Sequence, residues 1–342
     1  MKKTALTAAK IAVSLALLGY LFSTTDLRAL ASRIRSGDLL LIAAAVALYS
    51  AMLAVATWRW RLLLETQGYQ APLGPLSASY LVASFFNNFL PSNIGGDVIR
   101  VRDSSRLTGS TATSLAVVAI DRILGFGALY FLAALAYLVG DSTVRQLAGS
   151  RAVLLLLGAF FALLAYVFFR PGTAGRLMQV SGLARIGWVL EQFQIVQAAV
   201  HVYRMRMRSV WVAFLGSVVL QGLAVCYYYA IAHALRIALP LDACFLMVPL
   251  CTLVQAVPVS FNGWGIRESL FIVYFGQVGL PRDSALAFSL VGAGLIVLLS
   301  LSGAFVWMAR ADIRRQVGGD SGPTRAPQPA PLDAGPPPRS GA

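Results

Sequence analysis

Two long apolar stretches of this chain are interrupted by the same kind of sequence, and few folds tolerate such a break. The first reads Phe89-Leu90-Pro91-Ser92-Asn93-Ile94-Gly95-Gly96-Asp97-Val98-Ile99-Arg100. The second reads Ala256-Val257-Pro258-Val259-Ser260-Phe261-Asn262-Gly263-Trp264-Gly265-Ile266-Arg267-Glu268. Each has a proline, an asparagine, two close glycines, then an isoleucine and an arginine with a carboxylate nearby. Proline removes a backbone donor, and glycine reaches conformations a continuous helix cannot use. Inside a bilayer, broken backbone survives only where protein buries it or it lines a wet cavity. Interrupted segments at corresponding places in two halves of a chain point to a transporter's binding site.

Composition supports the membrane setting. The chain is 58% hydrophobic and 12% charged, against roughly 25% charged in soluble domains. Its net charge of +14 does not make it a nucleic-acid binder, because the arginines gather in a few loops beside apolar runs without any nucleic-acid motif. Basic loops of that kind orient a protein in a membrane. Cys226, Cys244 and Cys251 all lie in apolar stretches and read as core residues. His201 and His233 are far apart and suggest no metal site. Lys2 and Lys3 precede an apolar run from Ile11 to Phe22 without an Ala-x-Ala site after it, which reads as an uncleaved first helix.

Crossing the hydrocarbon takes about 20 apolar residues. Spans are expected at about 5–22, 38–57, 112–139, 151–169, 209–235 and 284–309. The two broken regions, about 76–108 and 242–280, divide into pieces too short to cross and read as re-entrant pairs of half-helices. The expected fold is an all-α polytopic membrane protein with six full spans and two oppositely oriented re-entrant pairs. Charge agrees with it: Lys2, Lys3 and Lys10, then Arg59 and Arg61, then Arg100, Arg102 and Arg106, then 170–208, then Arg310, Arg314 and Arg315 fall on the cytoplasmic side. Arg28, Arg33, Arg35, Arg145, Arg151, Arg236 and Arg282 are the exceptions. Both termini are expected in the cytoplasm of a bacterial inner (plasma) membrane.

Residues 1–315 thus form the membrane domain, with 170–208 as a cytoplasmic amphipathic segment and 316–342 as a disordered tail rich in Pro, Gly, Ser and Ala. Leu183, Ile186, Val189, Leu190, Phe193, Val196, Val200 and Tyr203 make a helical stripe. That stripe suits either the inner leaflet or a linker helix packed on the protein.

Polar side chains within apolar segments are costly unless paired or facing water, at roughly 3 kcal/mol or more for a charge. Asn87, Asn88, Asp97, Arg100, Asp121, Arg122, Gln221, Gln255, Asn262, Arg267 and Glu268 are of this kind. Arg100 and Arg267 follow the glycine breaks and can grip phosphate in a bidentate way. Free amides at a half-helix start near Gly95-Gly96 or Gly263–Gly265 would add to anion binding. Structural ion pairs, Asp97 with Arg100 and Arg267 with Glu268, are the simpler alternative. Asp121 and Arg122 point about 100° apart on a helix, so they cannot both face one partner directly.

Three stretches resemble the lysylphosphatidylglycerol synthase transmembrane-region family. They are Asn88-Phe89-Leu90-Pro91 through Gly95-Gly96-Asp97-Val98-Ile99-Arg100, then Val117-Val118-Ala119-Ile120-Asp121-Arg122, and Pro258 through Gly263-Trp264-Gly265-Ile266-Arg267-Glu268. The resemblance covers most of residues 5–310. It implies lipid translocation, with Pro91, Gly95, Gly96, Asp97, Arg100, Gly263, Gly265, Arg267 and Glu268 around the path. Asn88, Asp121, Arg122, Pro258 and Asn262 complete the candidate substrate-binding set. Synthases of the family carry a soluble aminoacyl-transfer domain after the membrane region. Only a short tail follows Arg315 here, so aminoacylation is not expected.

The leading expectation is a flippase-like lipid transporter, not an enzyme, with no cofactor and no metal. Its partners would be membrane lipids with an anionic phosphate headgroup, with a homo-oligomer and lipid-modifying enzymes as further candidates and nucleic acid excluded. No Gly-x4-Gly-Lys-[Ser/Thr] loop is present, so no ATP site is expected. A membrane-embedded transferase acting on a lipid-linked sugar is the alternative. It would rest on Asp26, Asp38, Asp141, Asp242 and Asp283, which form no catalytic cluster. A non-transporting scaffold with a basic inner face is the third reading.

Overall fold

Helix formation follows the apolar runs and stops at the punctuation within them. The computed structural model describes residues 23, 28, 32, 35–89, 95–141, 145, 147, 149–170, 187–256 and 263–317. The expected span at about 5–22, together with Pro91, Pro258, Asn262, residues 171–186 and the tail from 318, lies outside the described residues. The helices are α1 (Leu39–Thr66), α2 (Leu73–Phe89), α3 (Gly95–Thr108), α4 (Thr111–Val139), α5 (Ser150–Phe169), α6 (Gly187–Met205), α7 (Met207–Ala234), α8 (Leu241–Gln255), α9 (Ile266–Gln277) and α10 (Arg282–Val317). No strand occurs among the described residues. The protein is all-α, and α1, α4, α5, α7 and α10 are long and apolar enough to cross a membrane.

Local chemistry sets several of the helix ends. Asp38 caps α1, its Oδ1 accepting from the Leu40 amide at 2.8 Å, and Ser110 caps α4 by accepting from the Thr113 amide at 3.2 Å. Such caps each contribute about 1 kcal/mol. The two broken regions become two pairs of short helices, α2 with α3 and α8 with α9. At 1.5 Å per residue these are about 26, 21, 23 and 18 Å long, short of the roughly 30 Å hydrocarbon layer.

Contacts along each pair show how it folds. Ser79 Oγ donates to Asp103 Oδ2 at 2.7 Å, and the Gly96 amide donates to Asn87 Oδ1 at 2.7 Å, so α2 and α3 run antiparallel. Likewise α1 and α7 are antiparallel along their length. The Asp38 amide donates to the Ala234 carbonyl at 2.9 Å near one end, Gly216 lies under the Trp58 ring, and Arg59 donates to Ser217 towards the other end.

Helix α8 is buried over most of its surface, through Ala243, Cys244, Leu246, Met247, Val248, Leu250, Cys251 and Leu253, as expected of a largely apolar helix, with Leu241 and Thr252 exposed. Around it Val225, Tyr227, Ile231, Phe271, Phe275, Leu286 and Phe288 complete the larger core. A smaller core joins Trp60, Leu63, Leu64, Leu76, Val117, Tyr203 and Ala213. By contrast α5 turns Leu155, Leu156 and Leu163 outward, 66%, 72% and 59% exposed, which suits a lipid-facing helix. The three cysteines are free; Cys244 and Cys251 are buried, and Cys226 is exposed.

The C-terminal half of α6 packs on the end of α1. Tyr203 Oη donates to the Leu63 carbonyl at 3.0 Å and Gln67 Nε2 to the Ala199 carbonyl at 2.8 Å. Of the two readings of this stripe, the described contacts match a helix packed on the protein. The contacts above belong to the compact unit ending at Val306; the described residues beyond it continue α10.

Candidate functional site

A largely buried ladder of charge joins α1, α3 and α4. Arg59 of α1 donates through Nε to Asp121 Oδ1 at 2.6 Å and through one terminal nitrogen to Ser217 Oγ of α7 at 2.7 Å. Arg100 of α3 donates to Asp121 Oδ2 at 2.8 Å and, loosely, to Asp97 Oδ1 at 3.5 Å. Arg122 donates through Nε to Asp97 Oδ2. Asp121 and Arg122 therefore serve different partners, as their angular separation on α4 requires.

The Arg100 guanidinium lies over the Trp60 and Tyr80 rings, 4.7 and 5.0 Å from their centroids, and the two rings meet edge-on with centroids 6.4 Å apart. Both rings offer it cation–π attraction from adjacent directions. Arg59, Arg100 and Asp121 are 5%, 4% and 1% exposed. Holding such groups in a low-dielectric interior is expensive, and neither ion pairing nor packing alone favours it over an apolar core. Arg100 Nε is buried and has no hydrogen-bond partner among the described residues.

All five of these charged side chains line one partly open cavity of about 200 Å³. Its polar wall also includes Asn87, Ser84, Gln221 and Thr252, and its apolar wall Phe126, Leu129 and Leu220. Three guanidiniums face two carboxylates there, a formal excess of one positive charge. Asp121 is about 15 Å along α4 from Thr111, and Ser217 about 15 Å along α7 from Met207. The cavity is therefore set well inside the helix ends.

The second glycine break builds a different object. Glu268 Oε2 accepts from the Gly265 amide at 2.6 Å, and its Oε1 accepts from Arg267 at 2.5 and 3.0 Å and from Ser289 Oγ at 2.9 Å. Arg267 also stacks on Trp264 at 4.7 Å and donates to Ser289 Oγ at 2.9 Å. Both carboxylate oxygens are occupied, and Glu268 is 0% exposed. Gly263 and Gly265 have φ of +78° and +84°, backbone that a side-chain-bearing residue rarely adopts. Tyr228 of α7 stacks on Phe288 beside this cluster, about 16 Å along α7 from Ser217. The two clusters thus lie towards opposite ends of α7.

Of the residues singled out from sequence, Asp97, Arg100, Asp121 and Arg122 meet in the cavity, with Gly95 and Gly96 buried at the start of α3. Gly263, Gly265, Arg267 and Glu268 meet in the second cluster and not with the first. Asn88 does not line the cavity; its amide donates to the Ser84 carbonyl of its own helix at 3.1 Å, and Asn87 takes the inward place. Pro91, Pro258 and Asn262 lie outside the described residues.

Sequence reasoning missed Arg59, Trp60, Tyr80 and Ser217 as parts of the site. The available signal for Arg59 was Leu62-Leu63-Leu64 after the Trp58-Arg59-Trp60-Arg61 run, which shows that the apolar helix continues past the arginines. Among the aspartates on which the transferase alternative would rest, Asp38 caps α1 and Asp242 accepts from the Ala243 and Asp141 amides at 2.8 and 3.4 Å. Among the described residues, no group of three or more His, Cys, Asp or Glu is placed to hold a metal.

A search of curated proteins returns no match to the chain. Residues 7–303 match the family described as the lysylphosphatidylglycerol synthase TM region, a span that takes in both glycine breaks, the charge ladder and nearly every described helix, and the chain belongs to that family.

Proposed function

We propose that the protein moves a phospholipid or lipid-linked headgroup across the bacterial inner membrane, the cavity receiving the headgroup while the acyl chains stay in lipid. The observation that carries this reading is the buried, cavity-facing ladder with one cation in excess and an unpartnered Arg100 Nε. Intramembrane charges mark substrate paths when they face a cavity, and a planar guanidinium is well suited to a phosphate's oxygens. Family membership supports a membrane protein of lipid metabolism or transport.

In this reading α2–α3 and α8–α9 are re-entrant pairs entering from opposite faces, and with about 5–22 there are six full spans and cytoplasmic termini. The Arg59–Arg122 ladder then faces the inner side. The Arg267–Glu268–Ser289 cluster is its closed counterpart towards the outer side, the pairing expected of alternating access. Coupling to an ion gradient, if any, would run through the carboxylates already on the path.

Purified protein in vesicles of phosphatidylcholine and phosphatidylglycerol, doped with fluorescent phosphatidylglycerol, tests this reading. Wild type should expose inner-leaflet label to an external quencher. Arg100→Ala should abolish that movement in folded protein, and Arg100→Lys should reduce it at least about tenfold, since lysine lacks the planar fork. If wild type moves neither this label nor other fluorescent phospholipids, translocation of phospholipid is refuted.

A further inference from the structure

Within the cavity, Arg59 differs from the other arginines in what it contributes. Arg100 and Arg122 reach both carboxylates, and those four side chains sum to zero charge. Arg59 is the added cation. It is buried, reaches Asp121 and Ser217, and lies beside Gly125, where a Cβ would come 3.8 Å from its terminal nitrogen. Both residues line the cavity, and glycine adds no side chain of its own beside the guanidinium.

We propose that Arg59 sets the sign of this cavity and makes it selective for lipids whose headgroup carries a net negative charge, a selectivity that rests on reading the cavity as a headgroup site. A headgroup of net charge −1 neutralises the excess of +1. A zwitterionic headgroup leaves that charge uncompensated in a poorly solvated place, and an aminoacylated, net cationic headgroup adds to it. Coulomb attraction across several ångströms at an intermediate dielectric is large enough to shift the preference by about tenfold or more. Ser217 is the positioning residue: its hydroxyl accepts from Arg59 and donates to the Ala213 carbonyl at 2.9 Å, tying the cation to α7.

The test measures binding without transport. Detergent-solubilised full-length protein is titrated with short-chain phosphatidylglycerol, phosphatidylcholine and lysyl-phosphatidylglycerol, and affinities are read by thermophoresis. Wild type should bind them in that order of affinity, the first at least about tenfold tighter than the second. Arg59→Gln should bring that ratio close to one, and Arg59→Lys should preserve it. A flat or reversed order in wild type overturns the proposal whether or not Arg59→Gln folds, and so does a folded Arg59→Gln that keeps the wild-type ratio. The vesicle assay is scored separately: the expected binding order with no movement would refute translocation and leave the charge assignment standing.

Discussion

Replacing Gly96 with alanine puts a methyl group into the closest approach between α2 and α3. A Cβ there would lie 2.2 Å from the Ala83 carbonyl oxygen and 2.7 Å from the Asn87 side chain. Real contacts of this type stay at or above 3.0 Å, so the helices must part by roughly 1 Å, enough to forfeit a good part of the attraction between the facing atoms. Overpacking of that kind costs about 1–3 kcal/mol. Lengthening the Gly96–Asn87 hydrogen bond adds about 1 kcal/mol, for a total of about 2–4 kcal/mol. The displacement also carries Asp97 and Arg100 with it, because both follow on the first turns of α3. The 2.8 Å bond from Arg100 to Asp121 would stretch towards breaking, so lipid movement should fall together with stability. Gly222→Ala is the control, since no atom lies within 4 Å of its added methyl; it should be neutral or stabilising by up to about 1 kcal/mol. Unfolding in mixed micelles by titrated SDS gives both free energies. Equal stabilities for the two variants would refute the close-packing argument, and with it the idea that this glycine sets the position of the site.

Glu268→Gln removes the one carboxylate that satisfies Arg267, Ser289 and the Gly265 amide, and should cost about 3–5 kcal/mol, whereas Ser289→Ala should cost about 1 kcal/mol. The yield of monodisperse folded protein and the SDS midpoint measure this, and a Glu268→Gln protein as stable as wild type would show the cluster to be no lock. Tyr203→Phe removes the hydroxyl that donates to the Leu63 carbonyl and also meets Gln67 and should cost about 1 kcal/mol while leaving the phosphatidylglycerol-to-phosphatidylcholine binding ratio unchanged. A changed ratio would mean that α6 reports on the cavity and does not merely brace α1.

Much of the fold is legible in the sequence because its causes are local. An apolar run must close its backbone hydrogen bonds within itself when water is absent, so it becomes a helix. The two Pro/Gly-bearing breaks interrupt it: helices end at Phe89 and Gln255 and restart at Gly95 and Ile266, whereas Pro249 is accommodated inside α8. The end of α1 was less legible: its arginines read as a loop after residue 57, yet the helix runs to Thr66 because Trp60, Leu63 and Leu64 have a core to enter. Local pattern cannot say which of Asn87 and Asn88 turns inward either, since adjacent helical residues differ by about 100° and both fit the run.

The two glycine breaks look alike as strings, and only tertiary structure separates them. Arg267 finds its carboxylate one residue away and a serine on α10, and its cluster closes. Arg100 reaches a carboxylate 21 residues away, which Arg59 shares from 62 residues off while holding a serine 158 residues further along the chain. Sequence by itself determined that this chain forms membrane-crossing helices with two breaks bearing charge, since burial and backbone hydrogen bonding act residue by residue. Which charges would share a cavity, and that the sum would be positive, was decided by helix packing, because an electrostatic field depends on distances in space that no spacing along the chain specifies.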